Sequence, residues 1–301
     1  MYERQKVLLG LVEAFGGELA RTDCLKLLFL LGQQSGARRH YDFFPYLYGP
    51  FCHVAMRDKS RLEALGYLRS SRSFVLSEPK GHLSALGTSD RCAVLNLCSA
   101  VGRTRGRDLM RRVYLGFPTY CRRSRVLDRV LDTEEATAVR RTCLEDRAPS
   151  LFTIGYQGHS IDSFLRCLIE HDVNTVVDVR RNAFSMKRDF SRGALQRYLQ
   201  KSGIDYIRVP ELGIDSAQRR NLTDRDSYRS LLDTYEREVL PALHTQVSRV
   251  AGIALARRRV ALMCFEADHE CCHRHAVARA VAALNGVLPI VHLRGGESVS
   301  A

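Results

Sequence analysis

The sequence predicts an α/β protein in two parts. The C-terminal part reads as a mostly parallel, three-layer α/β/α sheet domain, and the part before it as a mainly helical, winged-helix-like domain. Three observations predict this. From residue 151 onward, short β-branched apolar runs alternate with stretches of helical spacing, the pattern of a parallel sheet with helices on both faces. Before residue 125, helix-spaced apolar positions dominate and extended runs are short. Between them, residues 126–148 are acidic-mixed and helical in spacing and end at Pro149, which breaks the pattern. The expected boundaries are a recognition domain over 1–125, a helical connector over 126–150 and an α/β domain over 151–301. A chain of 301 residues with 45% hydrophobic content is long enough to bury two cores.

In the first part, residues 3–15 place Val7, Leu8, Leu11, Val12 and Phe15 on one helical face, and Gly16-Gly17 ends that helix. A second helix is expected over 22–34, with Thr22 as its N-cap and Leu25, Leu27, Leu28, Leu30 and Leu31 as its apolar residues. Residues 41–50, Tyr-Asp-Phe-Phe-Pro-Tyr-Leu-Tyr-Gly-Pro, are aromatic-rich and broken by prolines. Helical spacing returns at 53–65, and Phe74-Val75-Leu76 reads as a short strand. Three helices followed by a strand give the order of a winged helix. Lys26-Leu27-Leu28-Phe29-Leu30-Leu31, the 41–50 run, Leu65-Gly66-Tyr67-Leu68, and Tyr114 with Gly116-Phe117-Pro118 and Ser124 resemble the Panacea-type antitoxin-associated domains. That resemblance covers roughly the first 125 residues and implies a compact module for nucleic-acid or protein recognition. Most of its aromatics are equally suited to a core.

In the second part the expected order is a strand at 151–154, a glycine-bearing turn, and a helix at 161–171 capped by Ser160. A buried strand at 173–179 and a polar loop at 181–191 follow. Next come a helix at 193–202, a strand at 204–209, helices near 225–236 and 238–257 (the latter broken near Pro241) and a strand at 260–265. A helix from Cys272-His273-Arg274 to about 284 leads to a last strand at 287–292. Ligands of such sheets bind beyond the carboxyl ends of the strands. Four stretches fall there: Gly155, Tyr156 and Gly158; Asp178-Val179-Arg180 with Asn182, Ser185, Lys187 and Arg188; Pro210-Glu211-Leu212-Gly213; and Cys264, Glu266, Cys272, His273 and Arg274. Strand alternation puts Asp178 and Arg180 on one side and Val179 on the other, so the two charges can neutralise each other.

Together, Thr153 to Tyr156, Asp178 to Arg180, Glu211 to Gly213, and the closing Cys264, Glu266, Cys272, His273 and Arg274 resemble the family catalogued as domain of unknown function 488, over about residues 151–293. Ala183 stands where the family commonly has proline, Met186 where it commonly has arginine, and Ile214 where a second glycine is usual. The loop after Asp178 is therefore expected to recognise a different ligand from that of typical members. The resemblance implies a fold and a site rather than a reaction.

Charge points to an anionic partner. The net charge is +13, divided as +9 over residues 1–150 and +4 over the remainder. Arg103, Arg105, Arg107, Arg111, Arg112, Arg122, Arg123 and Arg125 lie within one short stretch opposed only by Asp108, and are expected to meet DNA phosphates. A solvated face is the plain alternative, and a GC-rich genome also inflates arginine. No run of eighteen apolar residues occurs, so no membrane partner is expected. The first residues lack a signal-peptide core, and ten cysteines without disulfide-framework spacing suit a reducing cytoplasm.

For chemistry, Asp178, Glu211 and Glu266 are candidate catalytic carboxylates in a basic setting. Gly155, Tyr156, Gly158, Arg180, Asn182, Phe184, Ser185, Lys187, Cys272, His273 and Arg274 are candidate substrate contacts. Glycines in the first turn let backbone N–H groups approach an anion, although a tight strand-to-helix turn asks for the same residues. His273 and Arg274 would aim donors at the ligand from the start of a helix. Cys271, Cys272 and His273 are consecutive, which disfavours convergence on zinc, and adjacency alone makes no Cys–His dyad; no metal ligand is assigned. Two reactions fit. A carboxylate positions water for hydrolysis of a glycosidic bond without a cofactor, the target base being flipped onto Tyr156 or Phe184. Alternatively, several carboxylates hold Mg²⁺ for phosphodiester cleavage. The expected function is a DNA-directed hydrolase, base excision ahead of strand cleavage, acting on foreign or modified DNA. The rival is a non-catalytic winged-helix regulator with an anion-sensing domain, its strand-end charges being buried ion pairs. Oligomeric state is not legible.

Overall fold

The computed structural model describes residues 1–34, 36, 38–78, 81–143, 148–219, 225–284, 286 and 288–294, and the chain divides into two units, Met1–Leu144 and Glu145–Ala301.

Helices dominate the first unit. α1 (Glu3–Ala14) buries Val7, Leu8, Leu11 and Val12 and leads through two left-handed glycines, Gly16 and Gly17, into β1 (Glu18–Leu19). α2 (Arg21–Leu31) starts one residue earlier than the sequence suggests, with Ala20 rather than Thr22 at its N-cap. β2 (Phe44–Tyr46) and β3 (Gly49–Phe51) form an antiparallel hairpin before α3 (His53–Ala64). β4 (Phe74–Val75) then returns to pair antiparallel with β1. α4 (Thr88–Val101) and α5 (Gly106–Gly116) follow. The stretch expected to be a connector instead forms α6 (Leu127–Val130) and α7 (Thr133–Thr142) of this unit. Leu127, Val130, Leu131, Ala136 and Val139 are buried in its core. Their spacing is amphipathic, so the acidic residues mark the outer face of packed helices. A reciprocal cap starts α7: the Asp132 carboxylate accepts from Glu135 N (2.9 Å) and the Glu135 carboxylate from Asp132 N (3.2 Å).

The aromatic run and its distant companions meet around Lys26. Tyr41, Phe43 and Phe44 are buried. Lys26 is buried too, and its Nζ donates to the Pro50 carbonyl at 3.0 Å. Gly49, at φ +82°, lies so close to the Tyr114 ring that a Cβ would strike it, and the Tyr114 hydroxyl pairs with Ser124 Oγ at 2.8 Å. Lys26, the hairpin tip, Tyr114 and Ser124 thus form one packed assembly.

The second unit is a five-stranded, fully parallel sheet. Its elements are β5 (Ser150–Gly155), α8 (Ile161–Glu170), β6 (Thr175–Asp178), α9 (Arg192–Lys201), β7 (Asp205–Arg208), α10 (Arg225–Thr234), α11 (His244–Arg257), β8 (Arg259–Cys264), α12 (Arg274–Leu284) and β9 (Ile290–Leu293). The spatial order is β7-β6-β8-β5-β9. Right-handed crossovers put α8 and α9 on one face and α10, α11 and α12 on the other. The second face shows this directly: Val177, Val179, Val260 and Leu262 pack with Val247, Val250, Val277 and Val281. Ser160 caps α8, accepting from Ser163 N at 3.0 Å. Pro241 breaks the helix where expected: it lies in a 3₁₀ turn (Leu240–Leu243) that follows a π-helical turn (Tyr235–Val239) and leads into α11.

Burial pulls the Lys26 ammonium down from 10.5 to about 8, with Cys121 and Asp23 working against that shift. Between those two values the unfolded chain holds more protons at Lys26 than the folded one. The residue's contribution to stability therefore rises with pH across pH 8–10.5. Whatever its sign at pH 7, the stability difference between wild type and Lys26→Met should shift in favour of wild type through this window. Denaturant midpoints against pH measure it, and a constant difference would contradict the assignment.

Candidate functional site

β6 delivers Asp178 to the carboxyl edge of the sheet on the α8–α9 face, because it shares the parity of Val176 while Val177 and Val179 enter the opposite core. The Asp178 carboxylate is completely buried, and four donors meet it. Oδ1 accepts from Arg180 N (3.1 Å) and Arg180 Nε (2.8 Å). Oδ2 accepts from Arg180 Nη2 (2.7 Å) and from the Tyr206 hydroxyl on β7 (2.6 Å). The two charges thus neutralise each other through a bidentate fork. Burial works against the Arg180 charge, but Asp178 outweighs it and raises the guanidinium pKa. Burial and then Asp178 push the Tyr206 phenol upward. Arg180 Nη1 is buried without an accepting partner, and so is Arg208 Nε on the neighbouring strand.

The guanidinium of Arg180 lies 5.0 Å from the centre of the Tyr156 ring, whose other neighbours are Phe190, stacked at 4.5 Å, and Phe265, edge-on at 5.2 Å. Tyr156 is therefore enclosed and offers no face to a flipped base. Its hydroxyl donates to Ser185 Oγ (3.2 Å), making it an anchor for the loop after β6. That loop is cross-braced: Ser185 N donates to Ser191 Oγ (3.1 Å), Phe184 N to Asn182 Oδ1 (3.0 Å), and Lys187 Nζ to the His159 carbonyl (3.1 Å). Phe184 is 71% exposed and Met186 91% exposed, among exposed Arg181, Lys187, Arg188 and Arg192.

The glycine-bearing turn after β5 spends three of its N–H groups on the protein itself. Tyr156 N donates to Cys264 O (3.2 Å), Gln157 N to Phe265 O (2.8 Å) and His159 N to Tyr156 O (3.1 Å), so these N–H groups are already used. Gly155 serves close approach instead, since a Cβ there would run into the Glu266 carbonyl. Gly213 does the same beneath the Arg180–Arg181 backbone, which sets the Glu211 turn (Pro210–Leu212) against the root of the loop. Gly158 takes a left-handed φ of +83°.

The closing motif is likewise spent on holding backbone. Arg274 is buried, its Nη1 and Nη2 donating to the Glu266 and Ala267 carbonyls (2.5 and 3.0 Å). His273 Nε2 faces the Val179 carbonyl at 3.1 Å, which fixes the proton on Nε2 and turns Nδ1 toward Cys264 Sγ at 3.8 Å. Cys264 Sγ also donates to Glu266 Oε2 (3.3 Å). Cys271, Cys272 and His273 do not all converge: Cys272 and His273 meet Cys264, their ligand atoms lying within 4.8 Å, whereas Cys271 turns to Asp268. The turn before α12 separates them in a way that spacing does not reveal. Burial holds the Cys272 thiol well above its ordinary range. A cavity of about 370 Å³ beside them is lined by Tyr228, Glu236, Cys272, His273, His275 and Arg279.

The three candidate acids differ. Asp178 is sealed and fully bonded, Glu266 is half-buried, and Glu211 is exposed. Among the described residues, they do not gather as a three-carboxylate metal set. Tyr206, Phe190, Phe265 and Arg208 are the neighbours of Asp178, Arg180 and Tyr156 that sequence reasoning misses; Tyr206, in register with Val176 on the adjacent strand, is reachable only once the β6–β7 pairing is known.

In the first unit the arginine cluster is partly neutralised. Glu135 from α7 pairs with Arg111. Arg105 Nη1 bonds the Gly102 and Thr104 carbonyls and its guanidinium covers Phe15 (4.6 Å). Arg107 Nε donates to Val130 O (3.3 Å) and Arg112 Nη1 to Ala100 O (2.7 Å). Arg103 and Arg125 are exposed, and Arg122 and Arg123 half-buried. The count of acids along the chain misses Glu135 because it arrives from a later helix.

Residues 160–281 match the family described as Domain of unknown function DUF488. No curated protein and no solved structure matches the chain. Among the described residues no helix is long and apolar enough to cross a membrane.

Breaking a buried ion pair by removing one partner costs about 3–5 kcal/mol, because it strands the other charge. Asp178→Asn and Arg180→Met should each destabilise the second unit on that scale, and the double variant by clearly less than the sum. Urea unfolding of the four proteins gives the coupling, and additive effects would show that the pair does not act as a unit.

Proposed function

We propose that the second unit, a member of the DUF488 family over residues 160–281, is a hydrolase acting on DNA, with release of a base ahead of strand cleavage. The loop after β6 carries this reading. Exposed Phe184 and Met186 stand among Arg181, Lys187, Arg188 and Arg192 on a braced scaffold, and aromatic faces interleaved with cations are how unpaired bases are held. In this reading Phe184 is the platform for an extrahelical base and the cations take flanking phosphates. Asp178, sealed against Arg180, is the positioning residue that orients the root of the loop. Glu211, exposed beside that root, is the carboxylate that positions water, and Glu266 is the second candidate. The arginines of the first unit, the exposed Arg103 and Arg125 foremost, supply sequence-independent phosphate contacts. A foreign or modified DNA in a cytoplasmic setting is the expected substrate.

One observation favours a second reading. A completely buried, fully bonded Asp178 beside an unpaired Arg180 Nη1 suits a domain that senses an anion without turnover. Purified protein incubated with normal and modified DNA, with and without EDTA, separates the two. Abasic sites formed despite EDTA support base excision, nicks that require metal support strand cleavage, and binding without product supports the sensor. Glu211→Gln should abolish turnover and spare binding; unchanged turnover removes Glu211 from the chemistry. Phe184→Ala should weaken single-strand binding about tenfold, within the range of one lost base stack. Replacing Arg122, Arg123 and Arg125 should weaken binding at all sequences and flatten its salt dependence, and an unchanged salt slope would make them a solvated face.

A further inference from the structure

We infer that His269, His275 and His292 form a binding site for one divalent transition-metal ion of the zinc class, held by three imidazoles with a further position open to solvent or ligand. The three residues come from separate places in the chain. His269 lies in the loop after β8, His275 in the first turn of α12, and His292 on the edge strand β9. Each offers a ring nitrogen within 4.8 Å of the other two. The ring centres lie 3.6, 5.1 and 5.2 Å apart. Three nitrogens around zinc at its usual bond length stand about 3.4 Å apart, so the set closes once the His269 and His292 rings, which stack within 13° of parallel, turn toward a common point.

The groups behind the rings are those that orient metal-binding imidazoles. His292 Nδ1 is 2.8 Å from Thr153 Oγ1 on the adjacent strand β5, which leaves Nε2 as the outward nitrogen. His269 Nδ1 lies 3.7 Å from the Asp268 carboxylate, which again presents Nε2. The Thr153 contact is a hydrogen bond and orients the His292 ring, while Asp268 places negative charge behind His269 without bonding it. His275 Nδ1 is buried with no hydrogen-bond partner, an atom left unsatisfied by the protein alone. His275 also lines the cavity of about 370 Å³, which provides an entry path. Arg274, Arg279 and Arg294 oppose a cation here, whereas Asp268, Glu236 and Glu270 bear on the same rings with the opposite sign.

The test uses the full chain stripped of metal, with zinc followed by calorimetry and cobalt(II) by absorption. One equivalent is expected to bind, and cobalt should show d–d bands without a thiolate charge-transfer band. His269→Ala, His275→Ala and His292→Ala should each weaken binding at least tenfold, and Thr153→Val about tenfold through the lost orienting bond. Zinc should raise the melting temperature of wild type and not of the histidine variants. His→Gln variants, checked by circular dichroism, replace any Ala variant that does not fold. Absence of binding overturns the inference, as does affinity unchanged in all three histidine variants. A thiolate band lost in Cys272→Ser also overturns it, because the metal would then sit at Cys264, Cys272 and His273.

Discussion

A carboxylate with no exposure to water must find its whole hydrogen-bonding complement inside the protein, and Asp178 at the end of β6 imposes that demand on everything around it. Arg180 meets it from two residues further along, on the same side of the extended chain, and Tyr206 meets it from β7, which ties the neighbouring strand to the same point. Tyr156 then lies under the guanidinium and Phe190 under Tyr156, so the loop is anchored at its root by charge and at its far end by stacking. Its exposed apolar and basic residues are displayed because its ends are held.

Two close backbone approaches complete this edge. Gly155 admits the Glu266 carbonyl, and Gly213 admits the Arg180–Arg181 backbone. Arg274 holds the first crossing from behind by bonding the carbonyls of Glu266 and Ala267. The Gly-Tyr, Asp-Val-Arg, Glu-Leu-Gly and Cys-His-Arg pieces thus share one mechanical role: each braces the carboxyl edge against another. Residues that look like ligand contacts in a linear reading are in large part the frame.

Much of the fold is legible along the chain because alternation and helical spacing are local signals. The strands at 150–155, 175–178 and 259–264 and the helices at 161–170 and 192–201 follow from β-branched runs and amphipathic spacing, and the pairing of Asp178 with Arg180 follows from strand parity. What is not legible is set by partners far away in sequence. Tyr206 reaches Asp178 only through the register of β6 and β7, Glu135 reaches Arg111 only once α7 packs beside α5, and His292 meets His269 and His275 only because β9 lies next to β5. The enclosure of Tyr156 is illegible for the same reason, since Phe190 and Arg180 come from opposite ends of a loop whose path no periodicity describes. Acidic residues between 128 and 146 read as a linker because charge is counted before faces are assigned.

The strand order carries a consequence for how the second unit is assembled. β8 occupies the middle of the sheet, between β5 and β6, yet it follows both of them, β7 and four helices in the chain. During synthesis β5 and β6 therefore emerge with no partner for their facing edges, and the sheet has a gap at its centre until residues 259–264 appear. Native-like pairing before that point is confined to β6 with β7. Such long-range closure makes for slow folding and leaves apolar edges open meanwhile. The same insertion gives the finished domain its cooperativity, because withdrawing one strand parts the sheet into two halves that have no other hydrogen bonds between their strands.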